Sequence, residues 1–328
     1  MADILGLDFD YTWDGKVTTD VFVKPSIETP DLSIFRILTD IQSKQQLNLR
    51  NNLSKIVKAY SGCGDRTVTG TGLDITNRTL EVTELEMFVT QCKDAFETSV
   101  FESGLNAGIE RNDLTNTFVN QFITDMTTDA LRRDLFRIFS FGDTASANTD
   151  YNMLDGLWTR LIAGVATYDV KRIGGDISGA LAADEAISLL KQNHVGAEII
   201  LKDIPNARKA FLVTGNIYEN LESTYEANVN GTERQFTMLT NGVDGLSYRG
   251  IRVIPIYAWD ASIEADSLGS PNRIIYTELD NHVIGVNRAS DLDRVDAWYD
   301  RDTRFYKIEA QFRMGYNYVF GGLTTISY

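Results

Sequence analysis

The strongest alternation of apolar and polar positions lies near the end of the chain. Across RFYKIEAQFRMGYNYVF (304–320), Tyr306, Ile308, Ala310, Phe312, Met314, Tyr316, Tyr318 and Phe320 share one parity. Lys307, Glu309, Gln311, Arg313 and Asn317 share the other. A period of two predicts a strand with one buried and one wet face. At about 3.3 Å per residue it would span roughly 50 Å, where ordinary strands hold about 5–6 residues. Its apolar edge is expected to pack on the longest helix. Gly315 interrupts the alternation, and a bend or bulge is expected there.

Helical periods fill the middle of the chain. Leu114, Phe118, Phe122 and Met126 step by four, and Leu131, Leu135 and Ile138 continue the stripe. They predict a main helix over 112–139, about 40 Å long if unbroken, with a break at Thr127 and Thr128 as the alternative. Leu154, Leu157, Trp158, Leu161, Ile162 and Val165 predict a second helix. A brief helix is expected over 31–46, capped by Asp31 or Ser33, with Ile34, Leu38 and Ile41 on one face.

Beyond IGGDISG the pattern alternates. Helix 181–194 is followed by strand-like AEIIL (197–201) and KAFLVT (209–214). Helix 216–227 is expected to open on Asn216 as cap, with Ile217, Tyr218, Leu221 and Tyr225 inward. Strand YRGIRVIPIYAW (248–259) closes an αββαβ run that could form its own inserted domain. Tyr276 to Val286 read as two short strands about a DN turn.

Residues 44–80 are different in kind. Glycine-rich SGCGDRTVTGTG is flanked by strand-like KIVKAY and DITNRTLEVTELEMFV, which predicts a long β-hairpin with too few apolar residues for a core of its own. This segment carries net +4, from six basic and two acidic residues, so the rest of the chain holds −19 of the total −15. Just after it, Glu81, Glu84, Glu86, Asp94, Glu97 and Glu102 stand against Lys93. A basic projection beside an acidic strip suits complementary contact between subunits. Lys55, Lys58, Arg66 and Arg78 are the candidate contact residues, with Glu81, Glu84 and Glu86 as the counter-strip.

Composition narrows the function. The chain has 328 residues, 43% hydrophobic and 23% charged, an ordinary globular balance able to bury a substantial core. Net charge of −15 argues against a protein that coats nucleic acid. No run of about 18 apolar residues occurs, and the first residues carry no signal-peptide pattern, so a soluble intracellular protein is expected. Cys63 and Cys92 form no CxxC pair.

Candidates for chemistry are few. His194 and His282 are the only histidines, one near a helix end and one in a tight turn, and neither lies in a catalytic signature. LDFDYTWDG places Thr12 and Trp13 where a calcium loop needs a ligand and a glycine. GTGLD lacks the rest of a dinucleotide fingerprint, and no phosphate loop is present. No catalytic residue, metal or cofactor is expected.

The order of parts resembles the major capsid protein of tailed bacteriophages, whose fold encapsulins and the herpesvirus capsid floor share. DGLWTRLIAGV (155–165), KAFLVTGNIYENLESTY (209–225), YRGIRVIPIYAWD (248–260) and the run 282–320 carry the likeness, with Arg252 where the family often has proline. The resemblance implies an α+β fold with an N-terminal arm (1–30), then a short helix and extended loop (31–86). It implies a peripheral domain (87–178 with 261–328) and an axial domain (179–260). It further implies self-assembly into hexamers and pentamers of an icosahedral head around double-stranded DNA, without sequence-specific binding and without a membrane. Assembly would take place in the host bacterial cytoplasm, with a portal protein and, since Met1 leads straight into the arm, a separate scaffolding protein. Alternative readings are an encapsulin shell, a tail or sheath protein, and an enzyme of unrecognised mechanism.

Overall fold

The computed structural model describes residues 32–50, 57, 75–92, 118–175, 177–228, 245–287, 296–300, 302–303 and 305–328. The expected arm (1–30) lies outside them, as do Cys63 and the hairpin positions Lys55, Lys58 and Arg66. In chain order the elements are β1 (Arg36–Leu38), β2 (Lys44–Arg50), β3 (Ile75–Glu81), β4 (Thr83–Cys92), α1 (Phe118–Phe141), α2 (Leu157–Thr167) and β5 (Lys171–Arg172). There follow α3 (Glu185–Gly196), α4 (Ile199–Asp203), β6 (Lys209–Val213), α5 (Gly215–Asn228), β7 (Ser247–Tyr248), β8 (Ile251–Pro255) and α6 (Tyr257–Asp266). The chain closes with β9 (Ile274–Glu278), β10 (His282–Val286), β11 (Asp296–Asp300), β12 (Phe305–Tyr318) and β13 (Thr324–Ser327).

The long alternating run is one strand. β12 continues for 14 residues, and Ile308, Ala310, Phe312, Met314, Tyr316 and Tyr318 are all buried on one face. β4 and β11 bracket its first half, and β10 pairs with its last five residues and carries β1 in parallel. The buried face meets α1 through Phe139, whose ring stands edge-on to Tyr316 at 5.3 Å. Gly315 is not a bulge: pairing with β10 runs without a skip through Tyr316, Gly315 and Met314.

Several local expectations change. Over 31–46 there is no helix beyond a 3₁₀ turn at Leu32–Ile34; β1 and β2 stand there instead, because β10 offers β1 an open edge. AEIIL folds as helix α4 and not as a strand: Ile199 and Ile200 are 83% and 55% exposed, and only Leu201 is buried. α1 passes unbroken through Thr127 and Thr128. In α2, Leu157, Trp158, Leu161 and Gly164 are buried, while Ile162 and Val165 stay at the surface. Asn216 does not cap α5; the carboxylate of Asp260, from α6, accepts the Gly215 N–H at 2.6 Å. That lends negative charge to a helix N-terminus from outside the helix.

The second sheet has six strands in the order β5-β13-β9-β6-β8-β7. Its central strands are buried on both faces, which explains why β6 and β9 read as continuous apolar runs. Ala210, Leu212 and Ile275 face the core built on α1, α2 and α6. Phe211, Val213, Ile274 and Tyr276 face the core built on α3 and α5. Strands from before and after residue 260 thus share one sheet.

A buried polar seam joins the two sheets. His282 is the first residue of β10, not part of a turn, and is wholly buried. Its Nδ1 lies 2.6 Å from the Tyr316 hydroxyl and its Nε2 2.9 Å from Thr277 Oγ1. Thr277 reaches Thr324 Oγ1 at 2.9 Å, and Asn281 exchanges two hydrogen bonds with the backbone of Phe320. Burial pushes the His282 pKa down to about 3 and raises that of Tyr316. The ring is neutral, so one of its nitrogens donates and the other accepts along this seam.

Candidate functional site: the root of the hairpin

The hairpin expected over 44–80 is present at its base, where β2 and β3 pair from Lys44↔Glu81 to Arg50↔Ile75. It has almost no core of its own and borrows one. Leu47 and Leu80 point at the body and pack with Ile41 and Val283. Opposite them Gly285 and Gly315 face each other across β10 and β12. A methyl on Gly285 would crowd Ile41 and Leu80, and one on Gly315 would run into the Glu81 carbonyl oxygen. The two glycines form a flat seat for the hairpin, and close approach of backbone is what requires them.

Polar contacts bolt the seat. Asn317 Nδ2 donates to the Thr79 carbonyl at 2.8 Å. Arg313 donates to the Gln42 carbonyl at 3.0 Å and pairs with Glu84 at 3.2 Å. Arg78 donates to the Tyr318 carbonyl at 3.3 Å, and its guanidinium lies 4.0 Å from the ring centroids of both Tyr168 and Tyr318. Burial raises the Tyr318 pKa, with Arg78 opposing.

Of the candidate contact residues, the structure places four. Arg78 is half-buried against its own subunit. Glu81 pairs with Lys44, Glu84 pairs with Arg313, and Glu86 stands exposed opposite Gln311. The open face of the first sheet also carries two aromatics that sequence reasoning passed over, Phe88 at 49% exposure and Trp298 at 42%. The register puts Phe88 beside Glu309 and Trp298 beside Lys307. The signal was available: Leu85, Met87 and Val89 pair with Phe312, Ala310 and Ile308, which turns Glu84, Glu86 and Phe88 outward together. Lys307 is held by Asp300, whose carboxyl it keeps well below the usual range.

Among the described residues no cluster of three or more His, Cys, Asp or Glu could hold a metal ion, and no helix is long and apolar enough to cross a membrane. His194, in the last turn of α3, stacks on Tyr276 at 5.9 Å, and burial lowers its pKa. A cleft of about 400 Å³ beside the start of α5 is lined by amides and hydroxyls with one carboxylate, Glu219.

No family model matches the sequence, and no curated protein is similar to it. Solved structures are similar over nearly the whole chain. The capsid of an empty GTA particle aligns over 96% of this chain and 94% of its own, with TM-score 0.58 and 12% identity. The capsid of Myoviridae phage XM1 covers 95% and 96%, with TM-score 0.57 and 10% identity. The capsid of cyanophage A-1(L) covers 96% of each, with TM-score 0.56 and 16% identity. The chain therefore has the α+β fold of these capsid proteins.

Proposed function

We propose that the chain is the major capsid protein of a tailed bacteriophage, assembling as hexamers and pentamers into an icosahedral head around double-stranded DNA. The observation that carries this is the likeness to capsid subunits along almost the full length of both chains. The solved structures reported above come from phage and GTA particles, which favours a head over an encapsulin compartment or a tail. The physics agrees: a shell wall needs long braced strands and reaching segments, and affinity grows from many modest contacts in closed symmetry. Strong negative charge keeps free subunits soluble and keeps a wall from gripping packaged DNA.

In this reading residues 1–30 are the arm and 31–86 hold the extended loop. The peripheral domain is 87–178 with 261–328, and the axial domain is 179–260. Lys55, Lys58 and Arg66 meet an acidic strip of a neighbouring subunit, Glu84 and Glu86, with Phe88 next to it on the same face. The protein is no enzyme and uses no cofactor; a separate scaffolding protein and a portal serve as assembly partners in the host cytoplasm. Expression followed by negative-stain electron microscopy tests the reading. Closed polyhedral particles are expected, whereas tubes, or subunits that stay monomeric at every concentration with scaffold present, overturn it. Reversing Lys55, Lys58 and Arg66 to glutamate should leave a folded subunit that does not assemble, and normal particles would remove that contact.

A further inference from the structure

We infer that Arg78 is a latch that sets the angle of the hairpin on its own subunit, not a charge offered to a neighbour. Arg78 lies on the same side of β3 as Leu80, two residues nearer the tip, so it is the outermost body-facing tether seen on that strand. Carried on β3, its guanidinium is held from two other places at once: Tyr168, just beyond the end of α2, and Tyr318, at the end of β12. None of the ion pairs among the described residues includes it. The holding forces are ring faces and one carbonyl oxygen, which demand a flat, delocalised cation.

The geometry gives this contact leverage. The greasy pivot, Leu47 and Leu80 over the glycine pair, permits rotation because apolar contact is non-directional. The polar bolts from Asn317 and Arg313 reach Thr79 and Gln42, both nearer the root than Arg78, which stands level with Leu47 at the outer edge of that pivot. Arg78 alone among these contacts ties the hairpin to the segment that leaves α2, so it converts a hinge into a fixed bracket. In a shell, the angle of a reaching element decides where it meets the next subunit. That consequence rests on the capsid reading; the latch itself does not.

Distances between two spin labels measure the angle directly in the full chain. One label goes on Asn48→Cys, exposed on β2, and one on Lys191→Cys, exposed on α3, with Cys63 and Cys92 changed to serine. The parent should give one narrow distance distribution, and Tyr168→Phe should keep it, since the ring remains. Arg78→Ala and Tyr168→Ala should broaden it or add a second peak, as the ratio of latched to free hairpin falls about 5- to 30-fold. Tyr168 is half exposed, so its truncation leaves the fold intact. Arg78→Lys separates the two roles: it keeps the charge and loses the flat stack, so it should behave like Arg78→Ala. Restoration of the narrow peak by lysine, or an unchanged distribution in Arg78→Ala, overturns the latch. Assembly of the parent is scored separately by microscopy. Particles with unaltered distances sink the latch and leave the shell; altered distances without particles do the reverse.

Discussion

Residues 305–313 and 314–318 of β12 belong to one strand and follow one alternation, yet they live in different surroundings. Along the first stretch the odd positions face solvent: Lys307, Glu309, Gln311 and Arg313 are partly or fully exposed. Along the second, Gly315 and Asn317 are buried as deeply as their apolar neighbours. The difference is a second layer. The hairpin root crosses only the far end of the strand, and there the outward residues shrink to a glycine and become an amide that satisfies a foreign backbone. A strand's parity reports which face meets the core. What sits on the other face is reported by the size and hydrogen bonding of the residues placed there.

The sharpest way to break the comparison is to add volume at equivalent positions on both stretches. Gly315→Val drives two methyl groups toward the Glu81 carbonyl, a backbone atom that cannot rotate away. Its φ is ordinary for a strand, so the cost is steric and lies at the upper end for overpacking, about 3 kcal/mol. Gln311→Val on the open stretch should change stability by less than about 0.5 kcal/mol. Denaturant unfolding of both variants checks the pair. Equal effects would mean that the hairpin does not rest on β12.

This contrast also shows how far the sequence could be read. The long strand, the main helix and the hairpin were legible because each repeats a period over many residues or brackets a glycine-rich turn. α4 was not, since Ile199 and Ile200 are β-branched but serve a one-turn helix at the surface, where no packing enforces their preference. The segment at 31–46 was misread because a three-residue strand has no period, and its partner β10 lies some 250 residues away in sequence. At the candidate site, charge alone suggested Arg78 as an outward contact. Only the fold brings Tyr168 and Tyr318 to its two sides. Charge likewise suggested Glu81, Glu84 and Glu86, while the alternation along β4 that turns Glu84 and Glu86 outward turns Phe88 outward with them.

An effect graded by pH, small within any one pH unit, belongs to the covered end. His282 sits against Tyr316, with its folded pKa near 3 against the ordinary 6.5. The unfolded chain therefore binds a proton that the folded one refuses. Its neutral-state stability is fully present above pH 6.5 and is lost as pH falls toward 3, by at most about 1.4 kcal/mol for each pH unit. His282→Asn should lower stability at pH 8 yet flatten this slope between pH 6.5 and 4, as measured by thermal melts across that window. A mutant with the parent's slope would place the acid sensitivity elsewhere. Tyr316→Phe removes the hydroxyl partner and leaves the titrating ring, so it should keep the slope.

The smallest effect lies where the two stretches meet. Arg313 is the last outward residue before the glycine seat, and it serves both sides: its pair with Glu84 belongs to the open sheet, its bond to the Gln42 carbonyl to the hairpin root. Glu84 is largely exposed, so the ion pair itself should contribute only about 0.2–1 kcal/mol and fade in high salt. The bond to Gln42 is not an ion pair and should survive salt. Arg313→Ala should therefore cost more than Glu84→Ala, and the excess should persist at high ionic strength. The coupling in a double-mutant cycle should vanish there. If salt erased the whole effect of Arg313→Ala, the hairpin root would not be bolted at this point, and Arg313 would belong to the open stretch alone.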